Sequence, residues 1–237
     1  MMAALSISDL VAGYHNRPVL HGVSLDTEPG TMAALIGPNG HGKTTLLKTV
    51  SGLVPARSGA IRIFGQAIET AEVHERVEAG LVHVPQGDQL FGEMSVEENL
   101  HMGAYLRDGA EVPRALEEVY AFFPRLAERR GQSASSLSGG ERRMVGIGRG
   151  LMAGGKVMMI DEPSLGLAPL IIEQIYEGLR GLSRADRAFL VVEENPSRLI
   201  GIADRICLMD AGRIEWSGTA AEVAGSRDIL ETYLGGH

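Results

Sequence analysis

The stretch GPNGHGKTT, residues 37–45, constrains this chain more than any other. It fits G-x4-G-K-S/T, and it lies between an apolar run, MAALIG (32–37), and an amphipathic one, KTTLLKTVSGL (43–53). A strand that runs into such a loop and then into a helix forms a cradle for phosphate. Gly37, Gly40 and Gly42 let the backbone curl with its N–H groups turned inward on an anion. The positive end of the helix adds to that field. Pro38, Asn39 and His41 complete the loop, and Thr45 lies in the first helical turn. Lys43 brings a full charge to the β- and γ-phosphates of a nucleotide, and the Thr44 hydroxyl is placed to ligate Mg2+.

Three more short apolar runs follow: GLVHVP (80–85), KVMMID (156–161) and AFLVVE (188–193). Each is bounded by turn or polar residues and reads as a strand buried on both faces. A helical pattern, EQIYEGLRGL (173–182), lies between the last two. Strand, helix, strand alternation predicts a mainly parallel sheet covered on both sides. GAIRIFGQAI (59–68) and RICLMDAGRIEWSG (205–218) alternate around glycine-containing turns and predict an antiparallel β region beside it. Residues 90–150 hold no strong strand, but they contain helical patterns such as SVEENLHMGAYL and PRALEEVYAFF. The expectation is one α/β domain, 1–237, with a core of about 1–89 and 151–237 and a helical subdomain inserted at about 90–150.

Bulk properties narrow the function. A chain of 237 residues, 44% hydrophobic, buries roughly 70–75% of its unfolded surface and needs no staple. Cys207 is the single cysteine, so no internal disulfide forms, as expected in a reducing compartment. In ICLM it reads as a small core residue. The net charge of −8 argues against a nucleic-acid partner, which requires a basic surface. No run approaches the roughly 18–20 apolar residues of a membrane span. MMAALSISDL lacks a basic n-region, so no signal peptide is expected.

A second acidic site lies downstream. VMMIDEP (157–163) ends an apolar strand with Asp161, suited to the Mg2+ shell. Glu162 follows as a candidate base for an attacking water. Alone, Asp-Glu-Pro is a strand-ending turn; beside a phosphate cradle it is a second half of one site.

LSGGERRM (137–144) then identifies the chain as resembling the ATP-binding subunit of ABC transporters over essentially its whole length. The resemblance implies a P-loop NTPase core with the inserted helical subdomain of that fold. It implies that Ser138, Gly139 and Gly140, with Glu141 in place of the common Gln, reach across a dimer interface to ATP held by another subunit. Tyr14 matches the aromatic that stacks on adenine. Gln86 matches the glutamine that senses Mg2+ or the water and hinges the helical subdomain. SLGLAP (164–169) matches the D-loop, with Leu167 where many relatives have Asp. VPQGDQLFGEMSVEENL, LSGGE, DEPSLGLAPL and VEEN together resemble the smaller ATP-binding subunit of branched-chain amino-acid importers. Related systems carry urea, other amides or aromatic acids. The resemblance implies a second, different ATP-binding subunit, with self-pairing as the alternative. It also implies two transmembrane permease subunits, a periplasmic solute-binding protein and a peripheral place on the cytoplasmic face of the inner membrane. The loop Asp88–Met94 is expected near the groove for the permease's cytoplasmic loops, with Leu90 and Phe91 either lining that dock or tucked under the helical block. A soluble ABC ATPase of DNA repair or translation is the competing reading. It lacks support here, because there is no long coiled-coil insertion, second cassette or basic tail. A small-molecule kinase would leave LSGGE unexplained.

The tip VVEENP (191–196) departs from the family. ABC ATPases usually place a switch histidine just past this strand, and the importer branch a glutamine in Val-Glu-Gln-Asn. Aligned on Val192 and Asn195, the switch position is Glu194. Facing a γ-phosphate and Glu162, its carboxylate is expected to take a proton or turn aside. Glu193 is expected to be a spacer.

Overall fold

The computed structural model describes residues 2–87, 89–182, 187–195, 198–199 and 201–225. Two sheets organise it. The larger has six strands: β3 (Met32–Ile36), β6 (Leu81–Val84), β7 (Val157–Asp161), β8 (Ala188–Glu193), β9 (Arg205–Asp210) and β10 (Arg213–Thr219). Their order is β10-β9-β3-β8-β7-β6, parallel except for the edge strand β10. Side chains alternate between two cores, as a strand's period of two requires. Met158 and Ile160 of β7 join one cluster, and Val157 and Met159 join the other. Burial on both faces explains why β3, β6, β7 and β8 read as unbroken apolar runs.

Helices and a second sheet cover the two faces. On one side pack α6 (Gly139–Met152) and α7 (Pro169–Leu182), through residues such as Ile147, Leu151, Ile175 and Leu179. Also on that side are α3 (Val96–Gly103), α4 (Val112–Phe122) and α5 (Pro124–Glu128), which lie in sequence between β6 and β7. On the other side lie α1 (Lys43–Val50) and a four-stranded antiparallel sheet. This sheet comprises β1 (Leu5–Tyr14), β2 (Arg17–Thr27), β4 (Ala56–Ile63) and β5 (Gln66–Ala67). The short helices α2 (Val73–Glu78) and α8 (Ala220–Gly225) and a 3-10 turn at Ala134–Ser136 complete the described elements.

The two expected hairpins separate in space. Residues 59–68 join the antiparallel sheet, where β4 pairs with β1. Residues 205–218 do not: β9 runs parallel to β3, and β10 folds back to cap the core sheet's edge. The β1–β2 hairpin has no counterpart in the sequence reading. Its alternation is broken by register shifts around Ser8–Leu10, where Asp9 adopts φ 48. A bulge of this kind erases the period-two signal. Functionally, the topology matters because β3, β8, β7 and β6 end side by side, and ligands bind outside the carboxyl ends of such strands.

Candidate functional site

The loop after β3 is shaped by two neighbours. A Cβ on Gly37 would sit 2.2 Å from the Met209 carbonyl oxygen, so the loop passes β9 only as glycine. Gly42 adopts φ 108 at the N-terminus of α1, with no side chain capping it, which leaves the first-turn N–H groups for a ligand. Lys43 is 4% exposed. Its Nζ donates to the carbonyls of Gly37 at 2.6 Å and Pro38 at 3.0 Å. Burial lowers its pKa, opposed by Glu162, Glu194, Asp161 and Glu193. Asn39, Gly40, Gly42, Lys43, Thr44, Thr45, Gln86 and Glu162 line a cavity of about 370 Å3. His41 points elsewhere: its Nδ1 lies 2.5 Å from Asp210 Oδ1, and its carbonyl accepts from the Gly212 N–H at 3.0 Å. The β9–β10 turn thus clamps the loop.

The tip of β7 faces this cavity. The Thr44 hydroxyl donates to Asp161 Oδ2 at 2.9 Å, while the buried Oδ1 has no hydrogen-bond partner. Burial raises the Asp161 pKa, against the Thr44 hydrogen bond and the charge of Lys43. An orphaned carboxylate oxygen is costly in a dry site unless a cation completes it. Among the described residues no three His, Cys, Asp or Glu cluster as metal ligands. That donor set suits Mg2+, which takes one or two carboxylates and otherwise relies on phosphates and water. Glu162 is 8% exposed and adopts φ 48. Its Oε2 accepts from Gln86 Nε2 at 3.0 Å. Burial raises its pKa, opposed by Lys43 and reinforced by Asp161, Glu193 and Glu194.

Arg143, on α6, went unnoticed in the sequence. It donates to the Asp161 carbonyl at 2.6 Å and to those of Pro85 at 2.9 Å and Gly87 at 3.2 Å. It therefore ties α6, the segment around Gln86 and the tip of β7 together. No periodicity marks such a role, which comes from three carbonyls distant in sequence.

Ser138, Gly139, Gly140 and Glu141 do not line the cavity. Ser138 caps α6: its Oγ accepts from the Glu141 N–H at 3.3 Å, and Glu141 Oε2 accepts from Ser138 N at 2.9 Å. This is a capping box. Glu141 Oε1 also meets Arg129 Nε at 2.6 Å. Burial opposes ionisation, but Ser138 and Arg129 prevail and lower its pKa. The carboxylate thus serves its own chain. Tyr14 ends β1, 44% exposed, and is also outside the cavity lining.

The two acids after β8 differ sharply. Glu194 accepts from Asn39 Nδ2 at 2.9 Å at the exposed tip. Glu193 is not a spacer. It is 1% exposed and accepts from the Ser164 N–H at 3.1 Å and the Tyr176 hydroxyl at 2.5 Å. Arg198 reaches it at 3.4 Å. The signal for this was available: an acid that ends a wholly buried strand needs donors. Pro196 lies outside the described residues, as does Asp88 of the 88–94 segment. There Leu90 packs on the core while Phe91 is 47% exposed, with the Arg149 guanidinium 5.7 Å from its ring centre. Phe91, Gln89, Met102 and Arg149 help line a groove of about 480 Å3. Leu167 packs on the core, and Cys207 is buried.

Comparison with known proteins agrees with this architecture. Residues 20–165 match the ABC transporter family. The chain is 39% identical to the high-affinity branched-chain amino acid transport ATP-binding protein BraG of Pseudomonas aeruginosa, over 96% of this chain and 98% of that one. It is 37% identical to a probable branched-chain amino acid transport ATP-binding protein, LivF, of Archaeoglobus fulgidus, over 90% and 91%. Among solved structures, the ADP conformation of an ATP-binding cassette of an ABC transporter superposes with TM-score 0.88 at 27% identity, covering 100% of both chains.

Proposed function

The chain belongs to the ABC transporter family, and from that premise we propose that this ATPase subunit drives an importer of branched-chain or other hydrophobic amino acids. The observation that carries the catalytic reading is a single cavity gathering Lys43, Thr44, Gln86 and Glu162 next to the orphaned Asp161 oxygen. The solute class rests on the likeness to the two amino-acid transport proteins. We assign the catalytic core to about 1–89 and 151–237 and the helical subdomain to about 90–150.

ATP is the substrate. Lys43 exchanges its contacts with the Gly37 and Pro38 carbonyls for the β- and γ-phosphates. Thr44, Asp161 and Gln86 would hold Mg2+, which would neutralise charge on the phosphates. Glu162 takes a proton from water as the water oxygen adds to the γ-phosphorus. The bond to the bridging oxygen breaks, releasing ADP and phosphate. Tyr14 stacks on adenine. Ser138, Gly139 and Gly140 act on the nucleotide of the facing subunit, while Glu141 holds their cap. Closure around two ATP molecules follows because only the closed pair supplies both sets of γ-phosphate donors. The hydrogen bond from Asn39 supports Glu194 as a displaced switch, so turnover is slow or depends on the sister subunit.

No helix among the described residues is long and apolar enough to cross a membrane. We place the chain peripherally on the cytoplasmic face of the inner membrane. Its partners there are a second, different ATP-binding subunit and two permease subunits, served by a periplasmic solute-binding protein. The groove around Phe91 receives the permease loops. Affinity purification from membranes tests this assignment. It should recover a polytopic membrane partner, and solute uptake should depend on it. ATPase activity stimulated by DNA or ribosomes, with no membrane partner, would instead establish a soluble ABC ATPase.

A further inference from the structure

The turn leaving β7 is anchored on the tip of β8 at two points. The Glu162 N–H donates to the Val192 carbonyl at 2.9 Å, and the Ser164 N–H donates to Glu193 Oε1 at 3.1 Å. Between the anchors Glu162 lies at φ 48. A non-glycine residue holds that left-handed conformation only where its surroundings enforce it. The first anchor is a backbone bond that any residue at 192 supplies. The second is a side chain, and the structure secures it. Tyr176 of α7 donates to the same Oε1, and Arg198 reaches Oε2 while also donating to the Ser164 hydroxyl. Burial and the adjacent Glu193 raise the Tyr176 pKa, so its hydroxyl stays a donor. An apolar residue at 193 would finish this buried strand without the cost of desolvating a carboxylate. Among the described residues, the hydrogen bonds of its side chain are directed to the turn that carries Glu162 or to that turn's supports.

We infer that Glu193 is a positioning residue for ATP hydrolysis: by holding Ser164 it fixes the turn that presents Glu162 to the attacking water. This rests on the reading of Glu162 as the base. Removing the Glu193 carboxylate should cost turnover selectively. In the full-length protein, Glu193→Ala lowers kcat at least about 20-fold and leaves the dissociation constant for a fluorescent ATP analogue within about threefold. Glu193→Gln keeps an acceptor oxygen for Ser164 and Tyr176, and it restores kcat to within about fivefold of wild type. In the Glu162→Gln background, Glu193→Ala changes the residual single-turnover rate less than about twofold, because both act through one group. If Glu193→Ala does not fold, Tyr176→Phe takes its place, with kcat lowered about three- to tenfold and nucleotide affinity kept. The inference is overturned by unchanged kcat in Glu193→Ala or, in its place, Tyr176→Phe. It is also overturned by a Gln variant no better than Ala, or by losses that multiply in the Glu162→Gln background. Wild-type turnover in Glu162→Gln itself removes the base reading, and this inference with it; loss of turnover there beside normal turnover in Glu193→Ala sinks this inference alone.

Discussion

Lys43 is held by two carbonyls of its own loop, at 2.6 and 3.0 Å, in a pocket that lowers its pKa by burial. Glu162, Glu194, Asp161 and Glu193 oppose that shift. The loop thus wraps the Lys43 head group with its own carbonyls. Lys43→Ala should lower kcat by at least about 100-fold and weaken ATP binding, read by steady-state turnover and nucleotide titration. Unchanged turnover would refute the cradle. Glu194 makes a subtler case. If it is a displaced switch, Glu194→Gln shifts turnover and its pH profile relative to wild type; identical profiles would leave it a turn residue. At this scale the sequence was readable wherever chemistry travels with local spacing. Lys43, Thr44, Asp161 and Glu162 are examples, and the fold brings them to one cavity edge. Glu193 was misread as a spacer and Arg143 was not read, because their partners lie on other elements: Ser164 and Tyr176 for one, three carbonyls for the other.

At the scale of elements, α6 begins with a capping box in which Glu141 satisfies Ser138 and pairs with Arg129. Glu141→Ala should cost about 1 kcal/mol at pH 7, measured by urea unfolding. Its sign with pH follows from the folded-state pKa lying below 4.5. A depressed carboxylate stabilises fully above its unfolded value and loses that contribution as acid protonates it. The gap between wild type and Glu141→Ala should therefore close as the pH falls below 4.5; a constant gap would mean the ionised carboxylate contributes nothing beyond packing. The strands β3, β6, β7 and β8 were legible because burial on both faces gives unbroken apolar runs. The β1–β2 hairpin was hidden by its bulges, and the place of β9 was hidden because a strand's sequence does not state which neighbour it pairs with.

For the whole molecule, the order β3-β8-β7-β6 sets the functional tips in one row: the phosphate loop, Glu193 and Glu194, Asp161 and Glu162, then Gln86. Arg143 fastens α6, and hence the segment beginning at Ser138, to two of those tips. Ser138 lies outside the cavity of its own chain, and on the proposed reading the site is completed by the Ser138 segment of a second subunit. Under MgATP, Glu162→Gln should accumulate a closed pair, seen by light scattering as twice the mass of the 25.3 kDa chain or as a complex with the sister subunit. No ATP-dependent association in either form would count against the closure mechanism.

The measurement that bears most directly on the account is the turnover of Glu162→Gln set beside its ATP affinity. In this variant kcat should fall at least about 100-fold with ATP affinity held within a few-fold, the mark of a group that acts in the transition state. Turnover equal to wild type, with ATP bound as tightly, would contradict it.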